Sequence, residues 1–251
     1  KGYRVTNDIR YLNAAKNCIS FIEKNLFVDD NLLRTYKNGN AKINGYLEDY
    51  SYFINALLDV FEIEPNQKYL KLALKLGTHL IDHFWDSENN SFFMTSDNHE
   101  KLIIRPKSNY DLSLPSGNSV SSFVMLRLYH LSQEQSFLDI SIKIMESQAQ
   151  MAAENPFGFG YLLNTLSVYL EKPIEITIIN SENSEICNSL FTTYLPSSFI
   201  VTIENSEQLN ALTDYPFFSG KSFEDQTSVF ICKNFSCSLP LHTLDEVNSE
   251  L

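Results

Sequence analysis

The amino-acid sequence predicts a mainly α protein, in which an array of helical hairpins is followed by a small α/β appendage. Apolar residues recur at helical spacing between residues 8 and 170, and short motifs near the helix starts repeat. After Lys172 the apolar residues alternate instead, as they do in strands. We therefore expect a helical-hairpin array at 1–172 and an α/β appendage at 173–251.

Six amphipathic segments define the array. In the first, for example, Ile9, Leu12 and Ile19 lie on one face. The predicted helices cover residues 8–25, 46–62, 66–85, 118–131, 134–152 and 157–170. Long loops are expected at 29–45 and 86–116, and short turns in the other direction. The long loops should share one rim of the array, which is where functional residues often lie.

Three of these helices contain similar sequences. "YLNAAKN" from Tyr11, "YLKLALK" from Tyr69 and "FLDISIK" from Phe137 align with one another. Each pair of helices is therefore interpreted as one unit of a helical-hairpin repeat. Such units bury their apolar faces by stacking on one another, so the array should be continuous.

The appendage has the pattern of a small βαβ unit. "PIEITII", "SSFIVTIE" and "TSVFIC" alternate as strands do, and residues 184–194 suit a crossover helix between the first two. The appendage contains no Gly-rich phosphate loop. A nucleotide site is therefore not expected there, and no cofactor is predicted.

The amino-acid composition limits the classes of partner and the cellular location that can be expected. The chain has 251 residues, of which 43% are hydrophobic, and its net charge is -12. Nucleic-acid backbones are bound by clustered Lys and Arg, so no nucleic acid is expected. No apolar run reaches about 18 residues, so no membrane-spanning helix is expected. Four cysteines are too few for a disulfide scaffold, and the N-terminus lacks a hydrophobic signal region, so a cytoplasmic location is expected.

Four motifs, in order, resemble a known family. "AKINGYLEDYSYFI", "FFMTSDNHEKLIIRPK", "PSGNSV" and "VFICKNFSCSLP" are similar to the C-terminal part of the thioredoxin-domain-containing proteins related to the spermatogenesis-associated protein. The resemblance covers essentially the whole chain. It implies an (α/α)6 toroid, similar to N-acylglucosamine 2-epimerase and the six-hairpin glycosidases, that follows a thioredoxin-like domain.

The resemblance also implies that this chain is a fragment, because it holds three of the six hairpins and no thioredoxin-like domain. The chain also begins at Lys1 rather than at a Met. The expected partners are the missing N-terminal half of the toroid and the thioredoxin-like domain. Apolar surface at the open ends of the array should make the fragment self-associate, bind the missing half or rearrange its edges.

Glu48 and Asp49 open the second predicted helix, and two interpretations are open. Acidic residues in a first turn stabilise a helix through its dipole by about 0.3–1 kcal/mol. In the implied toroid they would instead line the cavity as general acid and base. We predict that one of them contacts the loop at 86–116. Tyr46 and Tyr52, from the same segment, are predicted to bind substrate.

The loop at 86–116 is the second candidate. The guanidinium of Arg105, the ammonium group of Lys107 and the carboxylate of Asp111 would together suit a sugar hydroxyl or acid group. Asp111 is therefore assigned a catalytic role with residues 48 and 49. Substrate binding is assigned to Arg105, Lys107, Ser116 and Asn118. "PSGNSV" is equally typical of a helix start capped by Ser116 or Asn118, so a structural interpretation stays open.

The cysteines and histidines predict no metal site. Cys232, Cys237 and His242 have C-x4-C-x4-H spacing, but zinc knuckles more often use C-x2-C, and a fourth ligand is missing. Buried structural thiols are expected instead. His79 and His83 have i, i+4 metal spacing, but they lie outside a Glu-x-x-His context.

Two functions are open. The leading one is a carbohydrate-active or sugar-binding toroid, glycosidase- or epimerase-like if it is an enzyme, with a sugar-like small molecule in its cavity. The alternative is a non-catalytic scaffold or interaction domain for the thioredoxin-like domain. Polar side chains that converge within a few Å would favour the first function, and a cavity filled by aromatic rings the second.

Overall fold

The computed structural model describes residues 1–29, 31–100, 103–180, 184–223 and 225–251. Residues 101 and 102 of the motif "HEKLIIRPK" lie outside the described residues. The chain is mainly α-helical, as predicted. Its described helices are α1 (Gly2–Thr6), α2 (Ile9–Asn25), α3 (Leu47–Phe61), α4 (Gln67–Phe84), α5 (Gly117–Ser132), α6 (Gln135–Glu154), α7 (Gly160–Glu171), α8 (Ser184–Thr192), α9 (Ser206–Asn210) and α10 (Leu244–Glu250).

Short strands occur in three separate sheets. They are β1 (Phe27–Val28), β2 (Asn31–Lys37), β3 (Asn40–Asn44), β4 (Trp85–Asp86), β5 (Ser91–Phe92), β6 (Ile174–Ile179), β7 (Ser198–Ile203), β8 (Ser228–Lys233) and β9 (Ser236–Cys237). The first sheet has the order β1-β2-β3, the second is the pair β4-β5, and the third has the order β7-β6-β8-β9.

The six helices of the array begin close to the predicted positions because polar side chains cap several of them. Asp8 accepts a hydrogen bond from the N–H of Arg10 at the start of α2, and Asn66 accepts one from Lys68 at the start of α4. Ser116 caps α5. Each cap satisfies a backbone N–H that has no partner inside the helix.

The array has an inner and an outer layer. α3, α5 and α7 pack side by side, and α4 and α6 pack against α3 and α5. α5 lies in the middle and is buried on almost every side. The N-termini of α3, α5 and α7 follow the connections from the outer helices. The closed toroid remains a prediction.

The expected loop at 29–45 contains a β-hairpin, so that part of the prediction is wrong. β2 and β3 pair antiparallel, with Lys37 opposite Asn40. The two residues between them, Asn38 and Gly39, both have positive φ, of 52° and 80°. An Asn-Gly pair adopts this backbone readily, and it is the usual two-residue hairpin turn. The hairpin brings Arg34 to the start of α3.

The appendage contains the predicted βαβ unit. β6 and β7 are parallel and α8 connects them, while β8 adds antiparallel on the other side of β6. α8 and α10 cover one face of this sheet, where Ile176, Ile178 and Ile231 are buried. On the opposite face Ile179 and Val201 join the core of the helical array. One hydrophobic core therefore extends from the array into the sheet.

The cysteines of the β8–β9 hairpin differ from the prediction of buried thiols. Cys232 lies opposite Cys237 in the antiparallel register, and the two form a disulfide. Cys232 is buried, whereas Cys237 is exposed. Both sulfurs are used in this bond, so neither is available as a thiolate for zinc. No helix in the described part of the chain is long and apolar enough to cross a membrane.

Candidate functional site

Arg34 of the β2–β3 hairpin binds both acidic residues at the start of α3. Its Nη2 lies 2.8 Å from Oε1 of Glu48, and its Nη1 lies 2.9 Å from Oδ2 of Asp49. The guanidinium also stacks 4.7 Å above the ring of Tyr46. Burial lowers the pKa of Arg34, but hydrogen bonding and the charges of Glu48 and Asp49 outweigh it and raise that pKa. Arg34, which was not among the predicted site residues, therefore balances one of the two negative charges of the acidic pair.

Asp49 also has a structural role in α3. Its Oδ2 accepts the backbone N–H of Tyr46 at 2.8 Å, which is one of the two reciprocal bonds of a capping box. Glu48 is the more exposed of the pair, with 44% of its side chain accessible against 25% for Asp49. The dipole and capping interpretation thus describes Asp49. A catalytic role for either residue stays a prediction.

Asp111 connects the N-termini of α5 and α7. Its Oδ1 accepts the N–H of Ser116 at 2.8 Å. Its Oδ2 accepts the N–H of Tyr161 at 2.8 Å and that of Leu162 at 3.4 Å. Three backbone donors at two helix starts are thus satisfied by one carboxylate. This contact also fixes the end of the 86–116 loop across the inner layer.

Tyr52 lies between the two predicted acidic positions. Its hydroxyl donates to the carbonyl oxygen of Pro115 at 3.0 Å. Burial raises the pKa of Tyr52, and the negative charges of Glu48 and Asp111 raise it further. The phenol therefore joins α3 to the loop before α5. Tyr52 is therefore close enough to both Glu48 and Asp111 for each charge to affect it.

Arg105 does not contact the acidic pair, which contradicts the predicted convergence. Its Nη2 donates to the carbonyl oxygens of His83, at 3.1 Å, and Thr95. Its guanidinium lies 4.1 Å above the ring of Phe93. The residue holds backbone carbonyls in place, because loop segments lack regular partners for these groups.

Lys107 is likewise directed away from Glu48 and Asp49. Its Nζ pairs with Oδ2 of Asp86 at 2.5 Å, in a largely buried ion pair. Hydrogen bonds from Lys107 and Asn89 hold the pKa of Asp86 well below its ordinary value. The cations of the loop therefore stabilise the loop itself.

Ser116 and Asn118 take the structural roles that the motif allowed. The hydroxyl of Ser116 accepts the N–H of Ser119 at 3.0 Å, so Ser116 is the cap. Asn118 is fully buried and exchanges two hydrogen bonds with the backbone of Phe92, at 2.7 and 3.0 Å. A Cβ on Gly117 would lie 2.9 Å from the side chain of Leu47, so glycine permits the close approach of α5 to α3.

A buried ionic cluster occupies the inner layer, and sequence reasoning missed its centre. Arg127 is 3% exposed, and its Nη1 binds Oδ1 of Asn55 at 2.6 Å and Oδ1 of Asp59 at 2.9 Å. Its Nη2 binds Oε1 of Glu62 at 2.7 Å. Burial raises the pKa of the nearby Tyr161 to about 12. The available signal was the sequence of α5, in which Arg127 is the single residue among Lys, Arg, Asp and Glu.

The histidines of α4 pack among aromatic rings. His79 stacks on Tyr50 with ring centroids 5.0 Å apart and an angle of 15°. Burial lowers the pKa of His79, so burial favours its neutral form. His83 pairs with Asp97 at 2.9 Å. In the part of the chain that the structure describes, no three His, Cys, Asp or Glu residues form a metal-binding group.

Comparison with known proteins supports the predicted resemblance. No protein-family model matches the chain. It is 25% identical to spermatogenesis-associated protein 20 of Homo sapiens over 260 residues, which cover 96% of the chain and 33% of that protein. An uncharacterised protein of Caenorhabditis elegans is 24% identical over 261 residues, 98% of the chain and 35% of that protein. The chain thus spans about a third of these relatives, and it is similar to spermatogenesis-associated protein 20 along nearly its whole length.

Proposed function

We propose that this chain is a non-catalytic helical scaffold that packs against further helical hairpins. The observation that supports it is the use of the predicted catalytic carboxylates within the chain itself. Asp111 accepts three backbone N–H groups. Asp49 binds Arg34 and a backbone N–H, and Glu48 binds the same Arg34. A general acid or base must exchange protons with a substrate, whereas Asp49 and Asp111 hold helix ends and Glu48 is paired with Arg34.

Exposed apolar side chains on α2 supply the binding surface of the scaffold. Ile9, Tyr11 and Phe21 are 53%, 55% and 46% exposed. A groove of about 330 Å³ between α1, α2 and α3 adjoins Tyr11. Buried residues of α2 are limited to Leu12 and Ile19 in this fully described helix. We propose that helical hairpins from a longer chain cover this edge, as stacking of repeats requires.

Light scattering at increasing protein concentration tests the scaffold. Because α2 exposes Ile9 and Tyr11 near its start and Phe21 near its end, we expect the chain alone to self-associate, and the double variant Ile9→Glu, Phe21→Glu to remain monomeric. Leu239→Glu is the matched control, since Leu239 is 83% exposed on the appendage. That control should associate like the unchanged chain. A monomer at every concentration, or equal loss of association in the control, would contradict the scaffold.

A second candidate function is binding of a sugar-like molecule by the inner layer, with glycosidase- or epimerase-like chemistry if it reacts. It is favoured by the partly exposed carboxylate of Glu48 beside the phenol of Tyr52. Carboxylates and aromatic hydroxyls are suitable partners for sugar hydroxyls. Monosaccharides titrated into the protein and followed by NMR should shift signals near Tyr52. Glu48→Gln should weaken this binding, whereas Asp97→Asn on the outer α4 side should not.

A further inference from the structure

A cavity of about 190 Å³ lies where the helical array meets the sheet of the appendage. α5, α6, α7, β6 and the β8–β9 turn contribute to its walls. The residues that carry the inference are Tyr129, His130, Leu138, Tyr169, Glu175 and Phe235. The cavity is separate from the acidic residues at the starts of α3 and α5, and the scaffold function does not use it.

A buried histidine–carboxylate pair lies in the wall of this cavity. Nδ1 of His130 is 2.6 Å from Oε1 of Glu175, and the two residues are 8% and 6% exposed. In the neutral imidazole a carboxylate at Nδ1 holds the proton on that nitrogen, so Nε2 carries the lone pair. No described residue hydrogen-bonds to Nε2. When His130 is neutral, the cavity wall therefore offers one oriented hydrogen-bond acceptor, at Nε2.

The β8–β9 turn holds an aromatic ring against this histidine. Phe235 has a φ of 61°, which is uncommon for a bulky residue, and it lies between the paired Cys232 and Cys237. Its ring stacks on His130 with centroids 5.9 Å apart at 21°. Tyr129 packs edge-on against Phe235 at 6.0 Å. A disulfide-closed turn thus completes an aromatic wall around the acceptor.

We propose that this cavity binds a small phenol, that is, a single aromatic ring carrying a hydroxyl group. An enclosed apolar cavity of about 150 Å³ accepts benzene. The present cavity, of about 190 Å³, also has Lys172 and Asn234 in its wall and has room for a ring with one polar substituent. Tyr129, Tyr169 and Phe235 supply edge and face contacts for the ring. The hydroxyl donates to Nε2 of His130. A ring without a donor would leave that buried nitrogen unsatisfied, which gives selectivity.

Calorimetric titration with phenol and with toluene tests this proposal, because the two ligands differ by a hydroxyl in place of a methyl group. We expect phenol to bind roughly tenfold more tightly than toluene, the ratio that one hydrogen bond to a buried group provides. His130→Phe should reduce phenol affinity by a similar factor and leave toluene affinity unchanged. His83→Phe, the same replacement outside the cavity, should leave both affinities unchanged.

A cavity-filling variant keeps the proposal testable if His130→Phe does not fold. Leu138→Trp should fill the space and abolish binding of both ligands, while circular dichroism shows an intact helical fold. The proposal is overturned if the unchanged protein binds neither ligand, if phenol and toluene bind equally, or if a folded Leu138→Trp variant still binds phenol.

A phenol can be a free molecule or the side chain of a tyrosine. N-acetyl-tyrosinamide, titrated in the same way, distinguishes these sources. If it binds as tightly as phenol, the natural ligand is a tyrosine of a polypeptide. If it does not bind while phenol does, the ligand is a free phenol. In either case the ligand that binds should lose about tenfold in affinity in His130→Phe.

Discussion

The guanidinium of Arg127 on α5 lies 2.7 Å from Oε1 of Glu62, which follows the last residue of α3. The other carboxylate oxygen of Glu62 lies 2.9 Å from Arg4 of α1. Arg4 in turn donates to the carbonyl oxygen of Ile200 on β7 at 2.7 Å. One buried carboxylate therefore connects two helices of the array and, through Arg4, the sheet.

Replacement of Arg127 by Met should lower the free energy of unfolding by about 3–5 kcal/mol, because Asp59 and Glu62 lose their buried partner. Chemical denaturation measures this change. Arg10→Met is the control, since Arg10 pairs with Asp8 while 87% of its side chain is exposed, and solvent screens an exposed pair so that its loss should change stability little. Equal effects of the two replacements would show that the buried cluster contributes little.

Asp111→Ala should lower the free energy of unfolding by about 2 kcal/mol, because two helix starts lose their acceptor. Asp8 caps only α2, so Asp8→Ala should cost about half as much. Thermal unfolding of both variants measures the difference. A stability loss no larger than that of Asp8→Ala would argue that Asp111 has a role other than joining α5 and α7.

The ion pair of Asp86 and Lys107 should make stability depend on acid pH. The pKa of Asp86 is lowered in the folded protein by the hydrogen bond from Lys107, so its contribution is fully present above the unfolded value of about 3.9. The contribution is lost as pH falls towards the lowered folded pKa. Lys107→Met should therefore destabilise by about 1–3 kcal/mol at neutral pH and by less in acid.

Urea titrations of the unchanged protein and of Lys107→Met, repeated across the acid range, measure this dependence. Lys68→Met is a suitable control because the Lys68–Glu23 pair is more exposed. Its effect should be small at every pH. If the cost of Lys107→Met stayed constant down to the acid transition, the coupling to Asp86 would be refuted.

Lys221 should titrate well below an ordinary lysine. Burial lowers its pKa to about 8, with partial opposition from Glu175. Because the folded value lies below the unfolded value of about 10.4, stability should rise as pH increases from about 8 towards 10. Reductive methylation with labelled formaldehyde, followed by NMR, should reveal a lysine amine with a midpoint near 8, in addition to the labelled α-amino group. That signal should vanish in Lys221→Met. A normal midpoint would mean that the amine is hydrated.

The helices could be predicted from the sequence because the spacing of apolar residues within one segment is enough to indicate a helix. The repeat motifs also gave the right order of helices, and the alternation after Lys172 gave the βαβ unit. The Asn38–Gly39 turn was visible in the sequence as well. The strands on either side of it are mostly exposed, so they lack the apolar alternation that indicates a strand. The cap at Ser116 followed from residue type alone.

The side-chain partners could not be predicted, because they depend on segments that are distant in sequence. Arg34 and Asp49 are brought together by the turn of a hairpin, and Arg127 and Glu62 by the packing of α5 on α3. The directions of Arg105 and Lys107 depend on nearby backbone carbonyls and on Asp86, which lies in β4. Residues in loops on the same rim lie near one another, but the sequence does not determine which cation pairs with which carboxylate.

The hydrogen bond from Arg4 to Ile200 spans 196 residues of chain. During synthesis from the N-terminus, the first helix therefore emerges long before the strand against which it finally rests. α1 has no buried residue of its own, and helices of this length are marginal in isolation. The bond that joins this helix to β7 can therefore form only after that strand has been made.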